Sequence, residues 1–415
     1  GLGMPYEGKD GIDYSRFPQG MKVFFDAVRR IGLRPAIWIG GFCPKATRIY
    51  RENPEWFCNY DHRVTASAPL DISQPEVWKY MLDALDMLLM EFGCEGMKHD
   101  FWSYVFEEST PLFANHCYSG YEYRRNWLVE IRKRLSSDGY LQTGCDIVMG
   151  NPFLGEYFTN YRYGIDIGSG NWDCVKTSFL WGSACFATHT GDLFVPNSDS
   201  VGLFPGLTDD EALFCINYCL VTGSMVEIAG NLDLHVGEPR MEILQKAVCC
   251  PDNGHDVYFA NFDYRVGHHA PDCFYFKGTI FSLLRDNPLL PMRTLAFFNL
   301  NDIASDRSVT PIDLGLMDDE YLAYDIWGDE CIEFSERLET NLALHGSRLL
   351  AIVPRNQVAV LDANLKLDAV AFENHVFSLK FAHPGKLRLR LWDGTRIIVL
   401  ERILNIFGET VEVRV

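Results

Sequence analysis

The sequence of 415 residues predicts an α/β protein, namely a (β/α)8-type (TIM) barrel without its first two strands, followed by an antiparallel β-sandwich domain. Three observations predict this class. Up to residue 252, short β-branched or aromatic runs alternate with amphipathic helical stretches, as in parallel βαβ units. Beyond residue 252, helical periods fade and short strands alternate with turns. Two of the predicted parallel strands carry a carboxylate and a basic residue at their ends, where barrel enzymes assemble active sites.

The first domain, residues 1–252, is predicted to hold strands 3 to 8 of the barrel. The predicted strands are 34–39, 96–101, 141–146, 161–167, 185–194 and 225–228. The clearest helix has Ser73 near its N-cap and Pro75 in its first turn, and Gly93 ends it. The other predicted helices are 20–31, 121–135 and 208–221. Because a closed barrel has eight strands, we expect the missing pair before residue 1.

The second domain, residues 253–415, is predicted to be an antiparallel sandwich. Its clearest strands are 294–298, 321–325, 348–353, 376–381 and 387–392. Turns such as Trp-Asp-Gly-Thr separate them. No internal repeat or low-complexity linker is visible, so the two domains are expected to pack closely.

The composition excludes several classes of partner. A net charge of -19 repels phosphate backbones and anionic lipid, so neither nucleic acid nor a membrane surface is expected as a partner. A neutral ligand such as a sugar suits this surface, and an oligomer is possible. No run of 18 or more apolar residues occurs.

The cysteine usage indicates a reducing compartment. Thirteen cysteines, an odd number without a CxxC pair, argue against a disulfide framework and a thiolate zinc site. We therefore expect a cytoplasmic protein with most cysteines in its core. The chain begins Gly-Leu-Gly and its natural N-terminus is not visible, so secretion stays open.

Two strand ends carry the candidate chemistry. In a strand, alternate side chains share a face, so Lys98 and Asp100 project together while His99 takes the other face. By the same parity, Arg162, Gly164 and Asp166 fall on one face. One ionised and one protonated carboxyl are what glycoside hydrolysis needs, and a retaining enzyme would hold them roughly 5 to 5.5 Å apart. A structural ion pair that caps the strand explains Lys98 and Asp100 equally well.

Five segments carry a resemblance to a known family. They are RFPQGMKVFFDAVRRIGLRPAIWI, YRENPEWF, LDISQPEVWKYMLDALDMLL, GMKHDFW and YRYGIDIGSGNWD. In this order they resemble glycoside hydrolase family 36 and its clan D relatives, the melibiase-type α-galactosidases, over roughly residues 14 to 250. The resemblance implies a retaining α-glycosidase, above all an α-galactosidase, that hydrolyses terminal α-galactosides, whether small molecules or oligosaccharides, by double displacement without a cofactor.

The resemblance also implies a set of site residues. It gives Asp100 the role of catalytic nucleophile and Asp166 that of general acid/base. It implies sugar-binding roles for a further set: Lys98, Arg162, Cys145, Trp38 and Trp172. For the two tryptophans, plain core packing is an equal alternative.

The chain departs from the family at two places. Members commonly show Trp-Phe-Glu-Pro-Glu where this chain has Trp38-Ile39-Gly40-Gly41-Phe42, so the subsite wall there is expected to differ. The family's N-terminal sandwich and first two barrel strands, which contribute an aspartate and a tryptophan to the sugar site, have no counterpart.

Two further polar clusters give weaker signals, and two alternative functions stay open. His268-His269 lacks a third ligand at credible spacing, so no metal is predicted. Asn197-Ser198-Asp199 follows a barrel strand and is explained nearly as well by a polar turn as by a site rim. The alternatives are an α-galactosyl-transferring enzyme of the raffinose-synthase type and a catalytically inactive sugar-binding remnant. The sugar itself stays open among α-galactosides, α-glucosides, N-acetylgalactosaminides and β-L-arabinopyranosides.

Overall fold

The computed structural model divides the chain into two compact units, Gly1–Arg162 and Tyr163–Val415. The described residues are 12–58, 67–103, 105–106, 109–144, 155–167, 170–186, 195–199, 201, 206–229, 232–235, 237–249, 256–260, 271–317 and 319–415.

The first unit is a mixed α/β structure. Its helices are α1 (Gly20–Arg30), α2 (Arg48–Glu52), α3 (Pro75–Leu85) and α4 (Gly120–Arg134). Its strands are β1 (Ala36–Gly40), β2 (Phe42–Pro44), β3 (Ser67–Pro69), β4 (Gly96–Asp100), β5 (Tyr140–Thr143) and β6 (Asn160–Arg162). Short 3-10 helices lie at Pro54–Trp56 and Thr110–Leu112, and a π-helical stretch, Asp86–Glu91, continues α3.

Strands β1, β4, β5 and β6 lie side by side in that order and are parallel. One face of this sheet carries the fully buried side chains of Ile39, Met97, His99 and Leu141, and Ile37 on the same face is half-buried. On this face the Nε2 atom of His99 accepts a hydrogen bond from the Trp127 indole of α4 at 2.9 Å. As the strand alternation predicts, Lys98 and Asp100 project from the opposite face.

Helix α3 begins where the sequence predicted, with Ser73 next to its N-cap. Its N-cap is Gln74 rather than Ser73, because the Ser73 hydroxyl and amide both bond to the Asp71 carboxylate, at 2.6 and 3.1 Å. Pro75 lies in the first turn, as expected. Gly93, with φ of 73°, lies just beyond the π-helical stretch.

The second unit combines helices with many antiparallel strands. Its helices are α5 (Trp172–Phe186), α6 (Asp209–Val221) and α7 (Pro239–Cys249), with 3-10 turns at Leu232–His235 and Ile312–Leu314. Its strands are β7 (Val195–Asn197), β8 (Tyr258–Phe259), β9 (Cys273–Lys277), β10 (Arg293–Phe298), β11 (Ser305–Val309), β12 (Tyr321–Asp325), β13 (Cys331–Phe334), β14 (Leu338–Leu342), β15 (Ser347–Pro354), β16 (Ala359–Ala363), β17 (Leu367–Glu373), β18 (Val376–Phe381), β19 (Gly385–Trp392), β20 (Ile397–Leu404) and β21 (Thr410–Arg414).

Among the described residues, the antiparallel strands of the second unit form four sheets. The largest has the order β13-β12-β15-β10-β9-β8, and the others are β11-β14, β16-β19-β20 and β17-β18-β21. A buried core that includes Leu295, Val309, Leu338 and Ile352 lies between the six-stranded sheet and the β11-β14 pair. All five strands predicted beyond residue 252 are present to within two residues at each end.

Two predicted strands of the barrel are wrong. Cys185 lies in helix α5, and the strand of this region is β7, beginning at Val195. An apolar run such as 179–186 does not distinguish a buried helix from a strand by periodicity alone. The segment 225–228 is not a regular strand; Met225 donates to the carbonyl oxygen of Pro196, and Glu227 accepts from the amide of Val201, both at 2.8 Å.

The mixed α/β class with a parallel sheet and an antiparallel part is therefore confirmed, whereas barrel closure and the boundary at residue 252 stay predictions. Within the second unit, helix α6 is tied to the sandwich strands. Asn217 accepts from the Trp327 indole at 2.6 Å and donates to the Ser347 hydroxyl at 2.9 Å, and Glu211 pairs with His345 at 2.7 Å.

Most of the described cysteines lie in the core, as predicted: six of the ten are buried, whereas Cys117 and Cys249 are exposed. Cys94, Cys215 and Cys273 are buried, and burial raises the pKa of the Cys215 thiol to about 12. Among the residues that the structure places, no helix has the length and apolarity needed to cross a bilayer.

Candidate active site

Asp100 lies at the carboxyl end of β4 and is only 6% exposed. Its Oδ2 atom accepts a hydrogen bond from the Trp38 indole nitrogen at 2.9 Å, and its Oδ1 atom accepts from the Phe101 amide at 3.0 Å. Phe101 has φ of 59°, a left-handed conformation that non-glycine residues rarely adopt. The strained turn directly after the strand therefore aims an amide at the carboxylate, and such backbone outliers cluster at functional sites.

Glycines flank Asp100 on both neighbouring strands. Gly40 is its register partner on β1, and the Gly144 amide, just after β5, donates to the His99 carbonyl at 2.8 Å. A Cβ atom at residue 144 would overlap the Asp100 carboxyl group, and one at residue 40 would lie 2.6 Å from the Trp38 ring. The carboxylate and the indole thus occupy space that side chains at these two positions would fill.

Arg162 completes this row of the sheet. Gln142 pairs with Asn160, so the register puts Gly144 and Arg162 at the level of Asp100 and on the same face. Arg162 is 3% exposed, and its amide donates to the Thr143 hydroxyl at 2.8 Å. A buried guanidinium and a buried carboxylate therefore face the same side of the sheet with a glycine between them.

Lys98 lies one row closer to the start of the strands. It pairs in register with Trp38 on β1 and with Gln142 on β5, and its side chain is half-buried. The first unit thus brings together four of the predicted site residues on one sheet face, namely Trp38, Lys98, Asp100 and Arg162.

Asp166 lies in the second unit, in an exposed position on the segment that follows Tyr163. Two contacts fix this segment. The Ile167 amide donates to the Asp199 carboxylate at 2.7 Å, and the Ser178 hydroxyl donates to the Ile165 carbonyl at 3.0 Å. The loop that carries Asp166 is therefore anchored on both sides of that residue.

Asp199, the last residue of the Asn197-Ser198-Asp199 run, supports the Asp166 segment in a way that the sequence did not predict. It is buried, has φ of 73°, and its amide donates to the Asn197 side chain at 2.8 Å. The Asn197-Ser198-Asp199 run was the available signal. It is a polar turn, but its last carboxylate supports the Asp166 segment through Ile167.

Two further predicted residues are not brought to these groups by the described structure. Trp172 stacks on His345, with ring centroids 4.1 Å apart, and contacts Phe214 edge-on at 5.1 Å, so its ring is engaged in packing within the second unit. Its sugar-binding role stays a prediction. Cys145 lies outside the described residues, as do His268-His269. In the part of the chain that is described, no group of three or more His, Cys, Asp or Glu side chains could hold a metal ion.

The fold is similar to that of several solved glycoside hydrolases, α-galactosidases among them. No protein-family model matches the chain, and no curated protein matches its sequence. Among solved structures, the α-galactosidase I of Mortierella vinacea is 14% identical, with 85% of each chain covered and a TM-score of 0.59. A GH27 β-L-arabinopyranosidase from Geobacillus stearothermophilus is 16% identical, covering 84% of this chain and 78% of its own, with a TM-score of 0.56.

A third similar structure is the isomalto-dextranase of Arthrobacter globiformis T6 in complex with panose. It is 12% identical and covers 99% of this chain and 81% of its own, with a TM-score of 0.57. At these identities the likeness concerns the fold. It is consistent with clan D, whereas membership of family 36 stays a prediction.

Proposed function

We propose that the protein is a retaining α-glycosidase, of the family 36 melibiase type, that hydrolyses terminal α-galactosides. The observation that carries the proposal is the Asp100 carboxylate, buried at the carboxyl end of a parallel strand and held by an N–H donor on each oxygen. Glycosidases need such an ionised, oriented carboxylate as nucleophile. The fold shared with α-galactosidases and a β-L-arabinopyranosidase supports the same class.

In the first step, Asp100 attacks the anomeric carbon of the sugar. The bond from that carbon to the leaving oxygen breaks, and Asp166 gives its proton to that oxygen. Lys98 and Arg162 donate hydrogen bonds to sugar hydroxyls on the same face of the sheet as the nucleophile. Trp38 offers an aromatic face to the apolar side of the pyranose.

In the second step, Asp166 takes a proton from water as the water oxygen attacks the anomeric carbon. The electrons of the bond between sugar and Asp100 return to the carboxylate, and the sugar leaves with its α configuration retained. Apart from the substrate and the attacking water, both steps are assigned to residues of this chain.

A second sugar class follows from one comparison. The isomalto-dextranase covers nearly the whole chain, and its structure holds panose. α-Glucosides are therefore the second candidate substrates, and a panel of 4-nitrophenyl α-D-galactoside, α-D-glucoside, N-acetyl-α-D-galactosaminide and β-L-arabinopyranoside decides between them.

The test of the mechanism is the Asp100→Gly variant. We expect a loss of at least about 1,000-fold in kcat/KM on 4-nitrophenyl α-D-galactopyranoside, because the nucleophile is gone, and partial recovery with azide. Asp83→Asn, an exposed carboxylate of α3, is the matched control and should keep full activity. Proton NMR of the first sugar released by the unchanged protein should show the α anomer. A β anomer, or full activity of Asp100→Gly, would overturn the proposal.

A further inference from the structure

Trp38 makes a hydrogen bond that stacking of its ring against a sugar would not require. It is 49% exposed, yet its indole N–H donates to Asp100 Oδ2 at 2.9 Å. The ring reaches Asp100 by folding along β1 over Gly40, the residue directly opposite Asp100 in the register. A side chain at residue 40 would block this path. The departure from the family pattern at residues 38–42 thus has a structural result, which is an indole hydrogen-bonded to the proposed nucleophile.

We infer that Trp38 is a positioning residue for Asp100 that acts through its N–H on the second step of the reaction. This inference rests on the proposed function. Both oxygens accept a hydrogen bond, Oδ2 from the indole and Oδ1 from the Phe101 amide. In the step that we infer, Oδ1 attacks with its second lone pair, which forms the new bond to the anomeric carbon. Oδ2 becomes the carbonyl oxygen of the glycosyl ester and still accepts the indole hydrogen.

The N–H matters most when the ester breaks. Water attacks the anomeric carbon, gives a proton to Asp166, and the bond electrons return to Asp100, which regains its negative charge. Hydrogen bonds to charged acceptors are stronger than those to neutral ones, so the indole stabilises the departing carboxylate more than the ester. The same donor favours the ionised ground state in the first step, so its loss slows the first step less than the second.

The prediction is therefore a split between kcat and KM. Trp38→Phe keeps an aromatic ring but removes the N–H, and we expect kcat on 4-nitrophenyl α-D-galactopyranoside to fall about ten-fold. KM should fall with it, because the glycosyl ester accumulates. A burst of nitrophenol should appear, and azide should raise kcat.

Two further variants separate this role from a structural one. Gly40→Ala keeps the tryptophan and its N–H group but displaces the ring, since the new Cβ would meet the Trp38 ring at 2.6 Å. It should therefore break the hydrogen bond to Asp100 and reproduce the burst. Trp181→Phe changes an exposed tryptophan of α5 and should leave kcat and KM unchanged. Unaltered kcat and KM in Trp38→Phe, or a lower kcat without a burst, would overturn the inference.

The hydrogen bond also has a readout that needs no turnover. The indole proton resonance of Trp38, assigned by its loss in Trp38→Phe, should move in Asp100→Ala and stay in place in Asp83→Asn. If it does not move, the contact is absent in solution and the inference fails. If it moves while the unchanged protein cleaves no glycoside, the contact exists but the proposed function fails, and the catalytic role of Trp38 fails with it.

Discussion

Gly144→Ala should disable the site by a steric effect alone. The Gly144 amide is fixed by its hydrogen bond to the His99 carbonyl, so the backbone there cannot retreat freely. A Cβ at residue 144 would overlap the Asp100 carboxyl group and would lie 2.5 Å from the Asp100 Cβ atom. Since carbon atoms pack at about 3.5 Å, Asp100 must move by roughly 1 Å or more.

A displacement of this size has a predictable kinetic cost. Misplacing a reacting group by about 1 Å costs on the order of 100-fold in rate, equivalent to about 2.7 kcal/mol of transition-state stabilisation. The displaced carboxylate would also lose the Trp38 hydrogen bond. We therefore expect kcat/KM for 4-nitrophenyl α-D-galactopyranoside to fall about 100-fold in Gly144→Ala, measured at a temperature where circular dichroism shows the variant folded.

Gly328→Ala provides the matched control. Gly328 also faces a carboxyl group, and its Cβ would lie 3.1 Å from the Asp325 Cγ atom, but Asp325 belongs to the sandwich. This variant should keep the kcat/KM of the unchanged protein. If folded Gly144→Ala also keeps the kcat/KM of the unchanged protein, the Asp100 carboxylate is not the reacting group. The steric argument from Gly144 is then refuted.

Two predictions concern stability. Burial, then the Arg124 charge, lowers the pKa of His99 well below its usual value, so the ring stays neutral in the fold while the unfolded chain takes up a proton. The free energy of unfolding should therefore fall by up to about 1.4 kcal/mol per pH unit below pH 6.5, less steeply in His99→Gln, as urea titrations would show. Lys246→Met breaks a 2.5 Å ion pair with Asp362, both side chains being about nine-tenths buried, and should lower the free energy of unfolding by about 3 kcal/mol. Lys79→Met, whose ion pair on α3 is exposed, should lower it by less than about 1 kcal/mol.

An equal pH slope in His99→Gln would show that other groups control acid unfolding. For the second prediction, a Lys246→Met variant as stable as Lys79→Met would mean that the Asp362 carboxylate gains solvent or another donor. The Oδ1 atom of that carboxylate has no hydrogen-bond partner among the described residues, which makes the loss of Lys246 more costly.

The sequence predicted the strand faces well because alternation is a local property. Lys98 and Asp100 project from one face of β4 and His99 from the other, as parity requires. The change from helices to antiparallel strands after residue 252 was also visible locally, since turns and β-branched runs carry it.

What the sequence did not predict depends on register and tertiary contact. The Trp38 bond to Asp100 joins residues 62 positions apart in the chain, and its geometry follows from the pairing of β1 with β4. The place of Gly144 next to Asp100 follows likewise from the pairing of β4 with β5. Helix α5 was missed because its last turns, 179–186, are an apolar run that does not distinguish a helix from a strand by periodicity.

The attachment of α6 to the sandwich has a consequence for protein engineering. Aromatic rings of α5 and α6 interleave with those of β9 and β10, with Phe214 and Phe298 centroids 4.7 Å apart and Phe179 and Phe274 centroids 5.5 Å apart. A chimaera that exchanged only the strand-rich part would cut through this cluster and through the bonds of Asn217. Residues 163–415 are therefore the unit to transplant, and grafted sandwiches must bring matching rings with them.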